Sequence, residues 1–269
     1  MYHYQALDHI NLQELADCFN AAFSDYEQSI HFTTESLNYY LTASTVDLSL
    51  SYGALYNGQL VGFILNSSGT YNEQRVVFDA GTGIVPDHRG KKVFSGLFEY
   101  TVQQLKDRNI TKYCLEVLQS NHSAVSIYSK KGFSVQRAYS VLVATGSNSK
   151  RNDSVCAIPY QDFAAFTTKF SVAPSYEHTS FTIDQNPHLY EVLYLDRQAY
   201  CIYAKKNGAI VQLHYNELNA LRNIISSLVD RFPSAMAKNI DCNCRDVVQM
   251  LQDIGFNEIL KQYEMALDI

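Results

Sequence analysis

The chain has no tryptophan, no excess of positive charge and no long apolar run, and each absence closes off something. With 21 Lys and Arg against 27 Asp and Glu, the net charge of −6 argues against a broad nucleic-acid surface. No run approaches the roughly 20 apolar residues a membrane helix needs. The start, MYHYQALDH, lacks the apolar segment of a secretory signal, so a cytoplasmic protein without membrane contact is expected. The six cysteines (Cys18, Cys114, Cys156, Cys201, Cys242, Cys244) are scattered. Cys242 and Cys244 make a C-x-C, but no second pair or nearby His completes a tetrahedral set, so no metal is expected and the thiols read as reduced and mostly buried. What remains is an ordinary globular composition: 269 residues, 46% hydrophobic and 18% charged, with 20 tyrosines in place of tryptophan. Such a length holds one large domain or two modest ones.

Periodicity orders the first half. NLQELADCFNAAF, residues 11–23, places apolar residues at helical spacing behind Asn11, with Glu14 in capping-box position. A second helix, capped by Thr33 or Thr34, is expected through Tyr40. LSLSYGALY and QLVGFILN flank Asn57–Gly58, a two-residue hairpin signal. QRVVFDAGTGIVP reads as a strand stopped by Pro86, and residues 91–107 as a helix. Then come a strand over 112–118, a helix over 121–131 with Gly132 as its C-cap, and a strand from Phe133.

The polar stretch GSNSKRNDS, 146–154, reads as a linker, after which the order recurs. The expected elements are strands 190–204 and 209–215 around Asn207–Gly208, helix 217–230, a strand near 234–241, helix 244–254 and strand 258–267. The pairs Gly132–Phe133 and Gly255–Phe256 lie 123 residues apart, and the same offset carries helix 95–105 onto 218–228. An internal duplication is the simplest account.

The stretch GIVPDHRGKKVFSGLF, residues 83–98, is where chemistry enters. A strand runs into a turn holding His88, Arg89, Lys91 and Lys92, and then into a helix. Either basic residues crowd a solvated loop, or the helix N-terminus, with unpaired N–H groups and a positive dipole end, forms an anion site suited to a pyrophosphate.

Strand–V-x-P-x-x-R-G-K–helix (Val85, Pro86, Arg89, Gly90, Lys91), followed by Leu115, Glu116, Val117, Asn121, Ala124, Tyr128, Gly132 and Phe133, resembles the GNAT superfamily of N-acetyltransferases. The resemblance covers residues 5–145 by element order, with its specific matches in 83–133. It implies a mixed, splayed β-sheet flanked by helices, and acetyl-CoA as co-substrate. The pantetheine would lie along the strand at Gly83, Ile84 and Val85, and free N–H groups at Ile84 and Val85 would polarise the thioester. The pyrophosphate would meet the turn Arg89, Gly90, Lys91, Lys92, Val93, Phe94 and Ser95. The family's R-G-x-G-x-G/A loop has small residues where this chain has Lys92 and Phe94. Lys92 is therefore expected to hold an ordinary helical φ, and Phe94 to pack inward.

The resemblance also assigns roles. Tyr128 would protonate the leaving thiolate, and Asn121, first an N-cap, would contact the coenzyme. Glu116, a carboxylate inside an apolar strand, would deprotonate the incoming amine; alternatively it is an exposed strand-end residue or pairs with Lys112 or Lys130. Asp79 is the rival base. The stretch SDYEQSI would face the substrate, with Asp25 or Glu27 offering charge and Tyr26 a ring face to a cationic amine.

The second half has no P-x-x-R-G-K loop, and Leu251 stands at the counterpart of Tyr128. The expectation is thus a GNAT domain at 1–146, a linker at 147–157 and a smaller related α/β domain at 158–269 without chemistry of its own. The expected activity is acetyl transfer to a small-molecule or peptide primary amine by direct attack. A non-catalytic acyl-CoA sensor or assembly module is the alternative, and a homodimer is left open.

Overall fold

The computed structural model describes residues 1–25, 31–71, 74–146, 154–166 and 170–269. These form two compact units, Met1–Leu115 with Ala266–Ile269, and Glu116–Met265. The elements in chain order are β1 (Tyr2–Ala6), α1 (Leu12–Ala22), α2 (Thr34–Ala43), β2 (Tyr52–Tyr56), β3 (Gln59–Tyr71), β4 (Gln74–Ile84), α3 (Val93–Asp107), β5 (Lys112–Leu118), α4 (His122–Lys130), β6 (Ser134–Ala144), β7 (Cys156–Pro159), α5 (Ser180–Gln185), β8 (Tyr190–Leu195), β9 (Ala199–Ala204), β10 (Ile210–Tyr215), α6 (Leu218–Arg231), β11 (Met236–Asp241), α7 (Arg245–Asp253) and β12 (Phe256–Asp268).

In the first unit the strands run β1–β2–β3–β4–β5, antiparallel up to β4 and parallel between β4 and β5. The turn Asn57–Gly58 takes positive φ at both residues (51° and 81°), as a type I′ hairpin requires. Leu15, Phe19 and Ala22 of α1 and Leu37 and Leu41 of α2 bury against Leu60, Phe63 and Leu65 of β3. There the Phe19 ring stacks on Phe63 at 5.0 Å. Asn11 caps α1 through the Gln13 N–H. The expected capping box is absent there, because Glu14 accepts from the Leu60 N–H instead. Thr33 and Ser36 form one at α2, which runs to Ala43.

The second unit orders its strands β12–β6–β11–β10–β9–β8–β7. Its core joins Leu142 and Ala144 of β6 to Leu213, α6 (Leu221, Ile224, Ile225, Leu228), Val247 and Leu251 of α7, and Phe256. The run 190–204 is two strands rather than one: Asp196 adopts φ 42°, reversing the chain between β8 and β9. The compact division falls inside β5 and not in the stretch 147–157, of which 147–153 lie outside the described residues. The reason is strand pairing, which lines β6 antiparallel along β11 from Met236↔Val143 to Asp241↔Tyr139. Residues 134–144 are thereby claimed by the later half. The repeat itself is closely kept: α4 at 122–130 and α7 at 245–253 differ by the offset inferred from the two Gly–Phe pairs. No helix among the described residues is long and apolar enough to cross a membrane.

Candidate active site

Strand β4 carries candidate residues of the first unit. Its parallel ladder with β5 runs from Val76↔Lys112 to Asp79↔Leu115, and β4 then continues to Ile84 along β3. Between Leu65↔Gly81 and Asn66↔Asp79 the register shifts, leaving Ala80 as a bulge. The Tyr40 hydroxyl donates to the Ala80 carbonyl, and the Asp79 carboxylate accepts from the Gly81 N–H at 3.0 Å and the Thr82 hydroxyl at 2.6 Å. Asp79, the rival base, thus braces the bulge. Of the two amides expected to hold a thioester, that of Val85 donates to the Val61 carbonyl at 3.0 Å. Alternation along the strand aims the Ile84 N–H away from β3, so Ile84 is the available donor.

The turn after β4 departs from expectation at two positions. Arg89 does not reach out for an anion. Its Nε donates to the Ile84 carbonyl (2.9 Å), Nη2 to the Ala22 carbonyl (2.6 Å), and Nη1 and Nη2 to the two Asp25 oxygens (2.5 and 3.0 Å). The fork therefore ties the end of β4 to the end of α1, and the Arg89 hydrogen bonds hold the Asp25 carboxyl below the usual aspartate range. Asp25, expected to meet substrate, is engaged in the same clamp, and Tyr26 and Glu27 lie outside the described residues.

Lys92 is the other departure. It is left-handed, φ 62° and ψ 15°, where an ordinary helical φ was expected. It stands at the N-cap of α3, two residues after Gly90 (φ 71°), so the chain turns into the helix through two left-handed positions. The family's glycine at this place has a backbone reason, and here a lysine bears the strain. The first intrahelical bond is from the Gly96 N–H to the Lys92 carbonyl, no side chain caps the helix, and no acidic residue occupies its first turn. Lys91 and Lys92 are exposed, and the Phe94 ring stacks on Phe98 at 5.7 Å. An N-terminus so arranged suits a polyanion. His88 is structural: its Nδ1 bonds the Tyr2 hydroxyl at 3.0 Å.

Glu116, Asn121 and Tyr128 belong to the second unit. Asn121 caps α4 through the Ala124 N–H at 3.0 Å, and Tyr128 packs its ring edge-on against Phe133 at 5.5 Å. Glu116 pairs with neither Lys112 nor Lys130. Its Oε2 accepts from Asn239 Nδ2 at 2.6 Å, and its Oε1 is sealed from solvent. Burial first, then the negative charge of Glu177, raises its carboxyl well above the usual range; Lys238 and the Asn239 bond oppose that rise. Around it Lys238 pairs with Glu177 at 2.7 Å, burial pushes the His178 imidazole down to about 3, and Arg137 and Tyr139 hold Glu264. A carboxyl raised toward neutrality is suited to proton transfer.

Residues 11–133 match the family model of the acetyltransferase (GNAT) family. Over this stretch the chain is similar to the GNAT acetyltransferases. The GNAT likeness in fold extends over the whole chain. A putative acetyltransferase from Pyrococcus horikoshii aligns over 100% of this chain and 89% of its own, with a TM-score of 0.72 at 11% identity. A GCN5-related N-acetyltransferase from Sphaerobacter thermophilus aligns over 99% and 95%, at 0.66 and 13%. A fungal GCN5-related glucosamine N-acetyltransferase region within a multi-domain β-N-acetylglucosaminidase gives 0.71 and 12%, over 99% of this chain and 38% of that one. At such identities the likeness concerns fold alone. No curated protein is similar to the chain in sequence.

Sequence reasoning missed Asn239. The offset of 123 residues that relates the two halves makes Asn239 the counterpart of Glu116, and the two counterparts are hydrogen-bonded to each other. An offset reports equivalence, not contact, so only the fold could reveal the pair.

Proposed function

We propose that the chain is an acetyl-CoA-dependent N-acetyltransferase that transfers the acetyl group to a primary amine by direct attack. The observation that carries this reading is the turn of the GNAT-matched segment. There β4 leaves its parallel ladder at Asp79, and the uncapped N-terminus of α3 follows a left-handed Gly90–Lys92 turn with no acidic residue in the first helical turn. In this reading Gly83, Ile84 and Val85 line the pantetheine, while Gly90, Lys91, Lys92, Val93, Phe94 and Ser95 receive the pyrophosphate. The coenzyme supplies the acetyl group as a thioester. The Ile84 N–H stabilises charge on the carbonyl oxygen, Glu116 takes a proton from the amine, and Tyr128 protonates the departing sulfur. Asn121 adds a coenzyme contact. The acceptor is a small-molecule or peptide amine.

Free-thiol release from acetyl-CoA across a panel of amines tests the activity. Tyr128→Phe keeps the ring against Phe133, so coenzyme affinity should hold while turnover falls about 10²–10⁴-fold, the usual contribution of a positioned acid. Unchanged turnover would remove Tyr128 from the mechanism. A second reading, a non-catalytic acyl-CoA sensor, draws on Lys92 in a glycine conformation and on Arg89 spent within the fold. It predicts coenzyme binding with no thiol release for any amine.

A further inference from the structure

Two buried acceptor atoms in the second unit have no hydrogen-bond partner and belong to the same bonded pair. Glu116 Oε2 is satisfied by Asn239 Nδ2, whose amide also donates to Ser175 Oγ at 3.3 Å; Glu116 Oε1 and Asn239 Oδ1 are left over. Each is the second oxygen, or the oxygen, of a group whose other atom is already engaged. A buried acceptor left unmet is destabilising. Both atoms are sealed from solvent, and Asn239 as a whole is only 3% exposed. The 2.6 Å bond sets the carboxyl and the amide side by side.

We propose that Asn239 holds Glu116 in its neutral acid form at rest, the Glu116 Oε1–H donating to Asn239 Oδ1 while Asn239 Nδ2–H donates to Glu116 Oε2. The acid and the amide then satisfy each other completely. The proton comes from solvent. When it leaves, the O–H bond breaks with its electron pair staying on Oε1, and the proton returns to water. The charged groups around the pair are Glu177 and Lys238, bonded to each other, Glu264, bonded to Arg137, and the imidazole of His178. Of these, Lys238 favours a Glu116 carboxylate, while Glu177 and Glu264 disfavour it.

Asn239 is thereby a positioning residue for Glu116, supplied by the half of the chain that lacks the coenzyme loop. The kinetic consequence rests on the reading of Glu116 as base: the resting enzyme must shed this proton before Glu116 accepts one from the amine. The acidic limb of the pH–rate profile then reports the pair.

The test reads the carboxyl directly and needs no turnover, so its failure and the failure of the proposed activity are separate events. The protein is labelled with ¹³C at glutamate carboxyl carbons, and the Glu116 signal is assigned by its loss in Glu116→Gln. A neutral-acid chemical shift at neutral pH, titrating above the ordinary glutamate range, is expected; a carboxylate shift there overturns the proposal. In Asn239→Asp two carboxyls share the site, so the last proton of the pair should be released about one pH unit or more higher. An unmoved midpoint shows that position 239 does not govern Glu116.

Should Asn239→Asp fail to fold, thermal stability of Glu116→Gln serves. A glutamine completes the amide–amide pair without a proton, whereas the wild type, with its folded-state carboxyl raised, is most stable below the ordinary glutamate range and loses stability as pH rises through the folded value. The melting-temperature gap in favour of Glu116→Gln should therefore widen between about pH 5 and pH 8. A constant gap overturns the proposal.

Discussion

Replacing Lys92 by glycine and by alanine separates two things the wild-type side chain does. Lys92 is exposed, caps nothing and holds φ 62° at the N-cap of α3. A residue with a Cβ in that region carries roughly 1–2 kcal/mol of strain. Glycine removes the strain but enlarges the freedom of the unfolded chain, returning about 0.4–1 kcal/mol. The difference leaves Lys92→Gly more stable by about 0.5–1 kcal/mol, which is roughly 1–4 °C in melting temperature for a chain of this size. Lys92→Ala keeps the Cβ and the strain, so its stability should stay within about 0.5 kcal/mol of wild type. Both variants lose the same charge. Calorimetric titration with acetyl-CoA should therefore show glycine binding the coenzyme more tightly than alanine, because only the Cβ distinguishes their approach to the phosphates. If glycine is no more stable than alanine by thermal melting, the left-handed conformation does not persist in solution and the reasoning fails.

Arg89→Ala, which removes all four hydrogen bonds of the clamp, should lower melting temperature more than Asp25→Ala, which removes two, and the double variant should fall little below Arg89→Ala. The Asp25 contribution is present above the ordinary aspartate range and is lost as pH falls through its depressed value; Arg89→Ala should lack that acid-side loss in melting experiments. At Gly96 an added Cβ would clash with the Tyr4 hydroxyl oxygen, so Gly96→Ala should cost about 1–3 kcal/mol by chemical denaturation despite its better helix propensity. Tyr4→Phe should recover part of that loss, and additive effects would place the clash elsewhere.

The elements with strong local signals could be read from the chain alone. Asn57–Gly58 announced its hairpin, apolar spacing announced α1 and α3, and the two Gly–Phe pairs announced the repeat. The site was only half legible. Arg-Gly-Lys reads as an anion turn, yet the partner that takes Arg89 lies 64 positions away, beyond any local pattern. The turn at Asp196 carries no glycine or proline, so β8 and β9 merged into one apparent strand. Lys92 hides a backbone requirement that a glycine would have announced. Glu116 stood out as a carboxylate in an apolar strand, but its partner is fixed by a bulge in β11, where the register shifts between Ala237 and Ile240.

The membership of Ala266–Ile269 in the first unit has a consequence for how the protein is made. The Ile269 N–H donates to the Thr111 carbonyl at 3.0 Å, at the entry to β5. A ribosome delivers those last residues only after all of Glu116–Met265. At roughly 5–20 residues per second, the stretch after Leu115 takes about 8–30 s to synthesise. Through that interval the first unit waits with its closing segment unmade, so vectorial folding from the N-terminus cannot finish it. A ribosome stalled within Glu116–Met265 leaves the first unit without the segment that bonds at Thr111.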